Sequence, residues 1–558
     1  MARHSAETCA ARRVRRAMGD LFDGYALADG TGVLAYDEMF DAPPSPRPGS
    51  AGIFEALQAL SASDLDKRCA ARDRTFRDQG ITFSLSGEER PFPLDLVPRV
   101  ITADEWTTIE TGVSQRIRAL EAFLADIYDG HSSILDDGIV PRRLVTTSTH
   151  FHREAYAVSP PNGVRVHVGG IDLVRDADGT FKVLEDNLRT PSGISYVVEN
   201  RRTMARVFPE LFASHRVRPV AAYPARLLEA LRASAPKRGG GVGGGEPTVV
   251  VLTPGVYNSA YFEHTFLARQ MGVELVEGRD LVCRSDVLYM RTTEGEQRVD
   301  VVYRRIDDEF LDPMHFRGNS VVGCPGILNA ARAGNVAIAN AVGNGVADDK
   351  LMYTYVPDMI RYYLTEEPVL SNVTTYRLED PEQRAHALAR LDQLVVKPVD
   401  ASGGYGIVVG PQASAEVLEE TRASIEADPR GFIAQEVVTL STSPTKIDER
   451  LEPRHVDLRP FAVNDGTKVW VVPGGLTRVA LPRGSLVVNS SQGGGSKDTW
   501  VLAATAAGGV RPAPDDDDEP RIGPLTGRAQ GTKLDPGPAQ VQSMQQQQGA
   551  ASDERAPC

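Results

Sequence analysis

The stretch Leu394-Val-Val-Lys-Pro-Val-Asp-Ala-Ser-Gly-Gly-Tyr-Gly-Ile-Val-Val-Gly410 predicts two strands joined by a glycine-rich loop. The first apolar run ends in Lys397 and Pro398, and a β-branched run follows the loop. Glycines let backbone N–H groups approach an anion closely, and a lysine at the end of a strand adds a positive charge. The pattern therefore favours a hairpin that covers phosphate groups, with an ordinary surface hairpin as the alternative. The loop lacks the Gly-Lys-Ser/Thr of a Walker motif and the following helix of a dinucleotide motif.

The length of 558 residues predicts more than one domain in an α/β (α+β) protein. Alternating strand and helix patterns after residue 248 predict a small parallel sheet. Composition changes divide the chain into an N-terminal helical segment with a proline-rich loop (1–79), a part with acidic strands (80–236), a glycine-rich linker (237–247), a small α/β domain (248–345), a part with the hairpin (346–503) and a disordered tail (504–558).

Charge and cysteine content restrict the partners and the compartment. A formal charge of −14 at pH 7 argues against general affinity for nucleic acid or anionic membranes. The five cysteines are scattered without a Cys-x-x-Cys pair, which argues against a zinc ribbon and a disulfide framework. No apolar run has the length of a signal-peptide core or a membrane span. We therefore expect a cytoplasmic protein.

Strand-like runs on both sides of Asp176–Gly179 predict an antiparallel hairpin. A turn centred on the middle two of these residues would place Asp172 opposite Val183, and opposite residues share a face. Two-residue alternation adds Glu185 and Asn187 to that face. Oxygen ligands of this kind suit Mg²⁺, and a solvated polar face is the alternative. A register shift of one residue would separate the three side chains.

Further polar side chains accompany other predicted strands. The run His455–Val463 alternates cleanly and places Asp457 and Arg459 with His455 on one face, which is either solvated or the wall of an active site. Beyond the acidic hairpin, Arg189 and a turn beginning at Pro191 offer hydrogen-bond donors beside its face. The first strand of the parallel sheet ends near three residues with either ligand-binding or structural roles, which are Tyr257, Asn258 and Glu263.

Taken in order, these motifs resemble the ATP-grasp superfamily in its circularly permuted form, type 2, known mainly from bacteria. The layout of the metal site is similar to that of glutathionylspermidine synthetase. In ordinary ATP-grasp enzymes the lysines and the glycine loop precede the metal ligands, whereas here Asp172 and Glu185-Asp-Asn187 precede Lys350 and Lys397. Circular permutation implies this inversion. The resemblance extends from about residue 80 to about residue 503.

The resemblance implies ATP and Mg²⁺ as cofactors, with a role for each matching residue. Asp172, Glu185 and Asn187 would hold Mg²⁺ against the phosphates, and Lys350 and Lys397 would contact the α- and β-phosphates. The loop that would close over the phosphates consists of Ser402, Gly403, Gly404, Tyr405 and Gly406.

The resemblance also implies contacts to the two ends of the nucleotide. Gln435, Glu436 and the backbone near Val438 would hold the adenine. The residues that would meet the γ-phosphate are Arg459, Arg189 and Arg478.

The implied activity is that of an ATP-dependent carboxylate–amine ligase acting on small-molecule or peptide substrates. A carboxylate would become an acyl phosphate, which an amine would attack, and no protein nucleophile is needed. The alternatives are a small-molecule phosphotransferase at the same site and a non-catalytic nucleotide-binding scaffold. A requirement for a partner protein stays open.

Overall fold

The structure, a computed structural model, describes residues 20–27, 35–85, 88–237, 245–400, 406–486, 488 and 494–504. Several sequence predictions lie outside these ranges. They are the disordered tail beyond residue 504, the glycines of the linker at 238–244, and the loop residues Ser402, Gly403, Gly404 and Tyr405.

A mixed sheet of ten strands, the central sheet, carries the three predicted metal ligands and two of the three predicted arginines. Its main path runs in the order Ser371–Asn372, Phe181–Asn187, Val168–Arg175, Arg450–Arg459, Leu476–Val479, Gly495–Val501 and Leu94–Ile101. The strands that join this path from the side are Thr442–Ile447, Phe461–Asn464 and Val469–Val471. The outermost pairs of the path are parallel. This sheet contains strands from both the part predicted at 80–236 and the part predicted at 346–503, so the two parts share one hydrogen-bonded sheet. The domain boundaries stay a prediction.

Different groups pack on the two faces of the central sheet, as the neighbours of two adjacent glycines show. A Cβ atom on Gly169 would clash with Cδ1 of Ile117, which belongs to the long helix Ala103–Tyr128. A Cβ atom on Gly170 would lie 3.3 Å from Cδ of Arg459. Since neighbouring residues of a strand point to opposite faces, the helix covers one face and the arginine lies on the other.

The acidic hairpin forms, but its register differs from the predicted one. Val183 pairs with Leu173, so the predicted opposition of Asp172 and Val183 is wrong. The register then shifts by one residue, and Asp172 lies opposite Glu185. This β-bulge brings Asp172 and Glu185 to the same face of the hairpin, and Asn187, two residues after Glu185, lies on that face as well. The three side chains therefore share a face, although by a different pairing.

The predicted small parallel sheet is confirmed. Its strands follow the order Ala337–Ala339, Val301–Arg304, Val249–Leu252 and Glu274–Val276, and every neighbouring pair is parallel. An antiparallel sheet follows one of these strands in the chain and consists of Leu281–Arg284, Val287–Thr292 and Gly295–Arg298.

The stretch Leu394–Gly410 forms the predicted antiparallel strands within a four-stranded sheet, the hairpin sheet. Its strands follow the order Thr375–Arg377, Phe432–Glu436, Leu394–Pro398 and Val408–Val409. One face packs Leu394, Val396 and Ala434 against Ile425 of the helix Ala415–Ala427. The remaining strands of the described residues form two short hairpins, Phe40–Ala42 with Ser45–Pro46 and Thr82–Leu85 with Glu88–Pro91.

The helices pack around these sheets. The α-helices are Ala51–Gln58, Ala62–Gln79, Ala103–Tyr128, Ser133–Asp136, Arg142–Thr146, Ile194–Val207, Pro209–Ser214, Tyr223–Ala233, Tyr261–Met271, Asp308–Leu311, Ile327–Arg332, Gly345–Asp348, Lys350–Tyr353, Val356–Met359, Pro381–Leu388 and Ala415–Ala427. The longest begins with a capping box, in which Thr102 and Glu105 bond to each other's backbone N–H groups. Within the described ranges, none of the helices combines the length and apolarity needed to cross a membrane.

Candidate active site

Four neighbouring strands of the central sheet bring polar side chains to one face, here called the charged face. Asp457 lies directly opposite Arg478. Leu458 lies opposite Leu173, which places Arg459 beside Asp172. The members of the charged face are Asp172, Glu185, Asn187, Asp457, Arg459 and Arg478.

Asp172 is the most heavily engaged acid of the charged face. Arg459 donates to it from Nε and, at 2.7 Å, from Nη2 to Oδ2. Arg478 donates from Nη2 to the same Oδ2 at 2.6 Å. The side chain of Asp172 is buried, which by itself would raise its pKa, but Arg459 and Arg478 outweigh burial and hold the pKa well below its usual range. Asp172 is therefore ionised and fixes two guanidinium groups.

Asp457 holds Arg478 from the other side. Nε of Arg478 lies 2.9 Å from Oδ1 and 3.0 Å from Oδ2 of Asp457. Burial raises the pKa of this carboxyl group, and Arg478 opposes that effect. Strand alternation predicted the position of Asp457, whereas its partner Arg478 comes from a different strand and could not be read from that pattern.

Glu185 and Asn187 are the less engaged members of the charged face. The Glu185 side chain is 30% exposed, and its Oε1 lies 3.8 Å from Nη2 of Arg459. The buried Nδ2 of Asn187 has no hydrogen-bond partner among the described residues. Rotation of this amide would present Oδ1 at the same place.

These residues fit the oxygen-rich coordination that Mg²⁺ prefers. Two opposed carboxylates and an amide share the face, and Asp172 retains lone pairs beyond those bound to the arginines. No group of three His, Cys, Asp or Glu side chains is arranged to hold a metal within the part of the chain that the structure describes. A metal here would therefore depend on Asn187 and on oxygens of a bound phosphate.

Lys397 lies close to this acidic group. It is 8% exposed, and its ammonium group makes no hydrogen bond or ion pair with any described residue. Burial lowers its pKa to about 8; Lys350 lowers it further, and Glu185 and Asp172 act in the opposite direction. The electrostatic effects on Lys397 show that two lysines and two acids lie within range of one another.

The predicted adenine residues divide between the two faces of the hairpin sheet. Lys397 lies opposite Ile433, and Gln435, two residues further, shares that face and donates to Thr375. The carboxylate of Glu436 lies on the other face, where Tyr376 donates to it at 2.6 Å and Arg390 at 2.9 and 3.1 Å. A contact from Glu436 to a ligand on the Lys397 face would therefore involve its backbone.

Two further predicted cofactor residues lie at the margins of this region. Val438 packs against an apolar cluster that includes Val174 and Leu440. Gly406, the described residue of the predicted phosphate loop, has a positive φ of 70°. A Cβ atom there would lie 2.9 Å from Cγ of Pro398, so a larger side chain would be strained and crowded.

Arg189 lies in a different group from Arg459 and Arg478. Its Nε donates to Asp348 at 2.8 Å, and its Nη1 lies 4.0 Å from Asp307. Burial raises the pKa of both carboxyl groups, and Arg189 opposes that effect. The structure thus places Arg189 between two acids rather than with Asp172.

The donors of the turn Pro191–Ser195 are occupied by protein, contrary to expectation. The backbone N–H groups of Gly193 and Ser195 donate to Oε2 of Glu263 at 2.8 and 3.1 Å, and the Ser195 hydroxyl donates at 2.9 Å. Glu263 is 1% exposed and belongs to the helix Tyr261–Met271 beside the parallel sheet. The sequence identified Glu263 as a candidate at a strand end but gave no signal that it binds this turn.

Comparisons with known proteins agree with the order of these motifs. A sequence profile of the family "Circularly permuted ATP-grasp type 2" matches residues 98–480. An uncharacterised protein of Mycobacterium tuberculosis (strain ATCC 25618 / H37Rv) is 63% identical over 491 residues, which are 88% of this chain and 88% of that protein. A putative glutamate–cysteine ligase of Frankia casuarinae is 51% identical over 469 residues, which are 84% of this chain and 53% of that protein.

A solved structure supports the fold. The apo form of a glutathione synthetase-like effector from Globodera pallida superposes with a TM-score of 0.52 at 13% identity and covers 80% of this chain and 99% of that one. At this identity the likeness concerns the fold alone. The family profile covers most of the chain and includes the charged face and both lysines. The chain belongs to the circularly permuted ATP-grasp family, type 2.

Proposed function

We propose that the protein is an ATP- and Mg²⁺-dependent ligase that activates a carboxylate as an acyl phosphate for attack by an amine. The observation that carries the proposal is Lys397 beside the charged face, which is 8% exposed and whose ammonium group makes no hydrogen bond or ion pair with any residue that the structure describes. A buried charge without a partner is strongly unfavourable. The phosphates of ATP would supply the missing counter-charge, and membership of the ATP-grasp family supports this ligand.

The other charged residues have roles that follow from their positions. Lys350 would share the phosphates with Lys397, and the loop 402–406 would cover them. Glu185 and Asn187, supported by Asp172, would hold Mg²⁺, which would neutralise charge on the phosphate oxygens.

Arg459 and Arg478 would stabilise the charge that develops on the transferred phosphoryl group. Both guanidinium groups are already fixed by Asp172, and Arg478 is also fixed by Asp457. Groups that are held in place before the reaction lose little free energy to reorganisation. Arg189 is bound to Asp348 and Asp307, and we therefore assign it to the support of this region rather than to the phosphate.

The proposed reaction has two steps. A substrate carboxylate oxygen attacks the γ-phosphorus and ADP leaves, and an amine nitrogen then attacks the acyl carbon while inorganic phosphate leaves and the amine loses a proton. No protein thiol is required, and burial raises the pKa of Cys324 to about 12, which keeps that thiol protonated. The described cysteines Cys69, Cys283 and Cys324 are free, consistent with a cytoplasmic protein.

The name of one relative supports the ligase class over the phosphotransferase. A glutamate–cysteine ligase joins a carboxylate to an amine, and the Frankia casuarinae protein has that name. Since the match covers 53% of that protein, it supports the type of reaction and leaves the substrates of this chain to experiment. We expect small-molecule or peptide substrates.

Trapping with hydroxylamine would test the proposal. The protein would be incubated with MgATP, hydroxylamine and a panel of amino acids and short peptides. Hydroxylamine converts an acyl phosphate into a hydroxamate, so a ligase yields hydroxamate, ADP and phosphate together. A phosphotransferase yields ADP and a phosphorylated product without hydroxamate. A scaffold binds ATP without turnover, and Lys397→Met serves as the control that should lack ATP binding.

A further inference from the structure

We propose that Glu263 and Arg305 are positioning residues that orient Arg459 toward the transferred phosphoryl group by fixing the turn Pro191–Ser195. This inference rests on the proposed function, because it assumes that Arg459 meets the γ-phosphate. Neither residue belongs to the charged face: Glu263 lies on the helix Tyr261–Met271, and Arg305 directly follows the strand Val301–Arg304 of the parallel sheet.

Arg305 and Glu263 form an ion pair, and both side chains hydrogen-bond to the turn Pro191–Ser195. Nη2 of Arg305 donates to Oε1 of Glu263 at 3.1 Å and to the hydroxyl of Ser192 at 2.7 Å. Nη1 of Arg305 donates to the carbonyl of Pro191 at 2.9 Å. Oε2 of Glu263 accepts the donors of Gly193 and Ser195 described above. Both side chains are 1% exposed, so these hydrogen bonds are shielded from water.

The turn Pro191–Ser195 also contacts Arg459. Nη1 of Arg459 donates to the carbonyl of Ser192 at 3.4 Å. A Cβ atom on Gly170 would lie 3.0 Å from Cβ of Pro191 and 3.3 Å from Cδ of Arg459, so the turn and the arginine pack over the same point of the sheet. A displacement of the turn would therefore change the space and the hydrogen bonding available to Arg459.

The way the turn is capped makes it dependent on the parallel sheet. The helix Ile194–Val207 follows the turn, and its first N–H groups need acceptors. An Asp or Ser at the N-cap commonly supplies one, but Gly193 occupies that position with a φ of 119°, which disfavours other residues. Glu263 supplies the acceptor for the N–H of Ser195, in the first turn of the helix, from another part of the fold. The docking of the parallel sheet thus sets the position of the turn.

Nucleotide selectivity gives a readout that a purely structural role would leave unchanged. Dissociation constants of MgATP and MgADP would be measured by calorimetry for the full-length protein and for Glu263→Gln. An amide nitrogen in place of one carboxylate oxygen would face N–H donors or Arg305 and loosen the turn. Since Arg459 is assigned to the γ-phosphate, we expect the preference for ATP over ADP to fall about tenfold, the effect of one charged hydrogen bond.

Asp498→Asn is the matched control. Asp498 is equally buried and binds Arg201 of the same helix at 2.9 Å, but it does not contact the turn. This variant should lower stability while it preserves the preference for ATP. Arg459→Lys should reduce the preference directly, and the double variant with Glu263→Gln should lose no more than Arg459→Lys alone, because both changes act through one contact.

Arg305→Lys is the second variant, in case Glu263→Gln does not fold. A lysine keeps the charge but cannot reach Pro191, Ser192 and Glu263 with a planar fork, so it should reduce the preference as well. An unchanged ATP:ADP ratio in the folded variants would overturn the inference while the proposed function stands. A parent protein that binds ATP no more tightly than ADP would overturn the assigned role of Arg459, and a parent protein that binds neither would overturn the proposed function itself.

Discussion

Asp172 and Arg478 are joined across an intervening strand by a hydrogen bond of 2.6 Å between Oδ2 and Nη2. The intervening strand contributes Asp457, which binds Arg478, and Arg459, which binds Asp172. The result is a buried network of alternating charges in which each guanidinium group is held by at least one carboxylate. Such a network fixes the arginines before any ligand arrives.

Asp172→Asn should strongly destabilise the fold. The change removes the charge that compensates two arginines, and breaking a buried ion pair by removing one partner costs about 3–5 kcal/mol. Urea unfolding of the parent and the variant would measure the difference. Glu185→Gln is the control with little expected effect, because Glu185 is 30% exposed and 3.8 Å from Arg459. Equal stability of Asp172→Asn and the parent would contradict the prediction.

Lys397→Met should stabilise the unliganded protein and abolish its stabilisation by MgATP. Lowering the pKa of Lys397 from 10.5 to about 8 corresponds to about 3 kcal/mol of destabilisation near neutral pH. At a hundredfold excess over the dissociation constant, MgATP should stabilise the parent by about 2.7 kcal/mol. Thermal unfolding with and without MgATP measures both effects. A variant less stable than the parent would show that Lys397 has a stabilising partner.

The stability difference between the parent and Lys397→Met should shrink as the pH rises from about 8 to about 10.5. In this window the unfolded lysine binds a proton that the folded lysine has lost, so the free energy of unfolding of the parent rises with pH. Lys397→Met lacks this contribution. Urea unfolding of both proteins at pH 7.5 and pH 10 tests the sign, and a difference that grows with pH would refute it.

Glu185→Gln and Glu436→Gln should differ in their effect on MgATP binding. The two glutamates have similar exposure, 30% and 33%, but Glu185 lies on the charged face and Glu436 is bound to Arg390 on the other face of the hairpin sheet. Calorimetry should show at least about tenfold weaker MgATP binding for Glu185→Gln, since the proposed metal ligand is lost, and unchanged binding for Glu436→Gln. A loss of binding in Glu436→Gln alone would move the nucleotide to the opposite face.

Local sequence patterns predicted the strands of the site and the faces on which its side chains lie. The strand register and the hydrogen-bond partners depend on contacts that these patterns do not contain. Alternation placed Asp457 and Arg459 on one face, and the apolar runs around Lys397 predicted both strands of the hairpin. The register of the acidic hairpin was wrong because the loop between Asp176 and Thr180 has three residues instead of the predicted two, and because a bulge beyond Leu173 leaves no mark in a two-residue pattern.

The sequence patterns also could not identify hydrogen-bond partners that come from distant segments of the chain. Asp348 accepts a hydrogen bond from Arg189, and Glu263 accepts hydrogen bonds from the donors of the turn. These contacts join residues about 160 and 70 positions apart, and neither charge nor periodicity identifies such pairs. Circular permutation came from the order of family motifs rather than from physical patterns.

The parallel pairing of Gly495–Val501 with Leu94–Ile101 has a consequence for how the protein is made. The strand at 495–501 lies inside the sheet, between partners on both sides, yet it is the last strand of the described chain to leave the ribosome. Until it emerges, Leu94–Ile101 has no neighbour in the central sheet and Leu476–Val479 has an open edge, which is a site for wrong pairing between chains. A stop codon before residue 495 should therefore give insoluble protein, whereas one placed after residue 504 leaves every described strand intact.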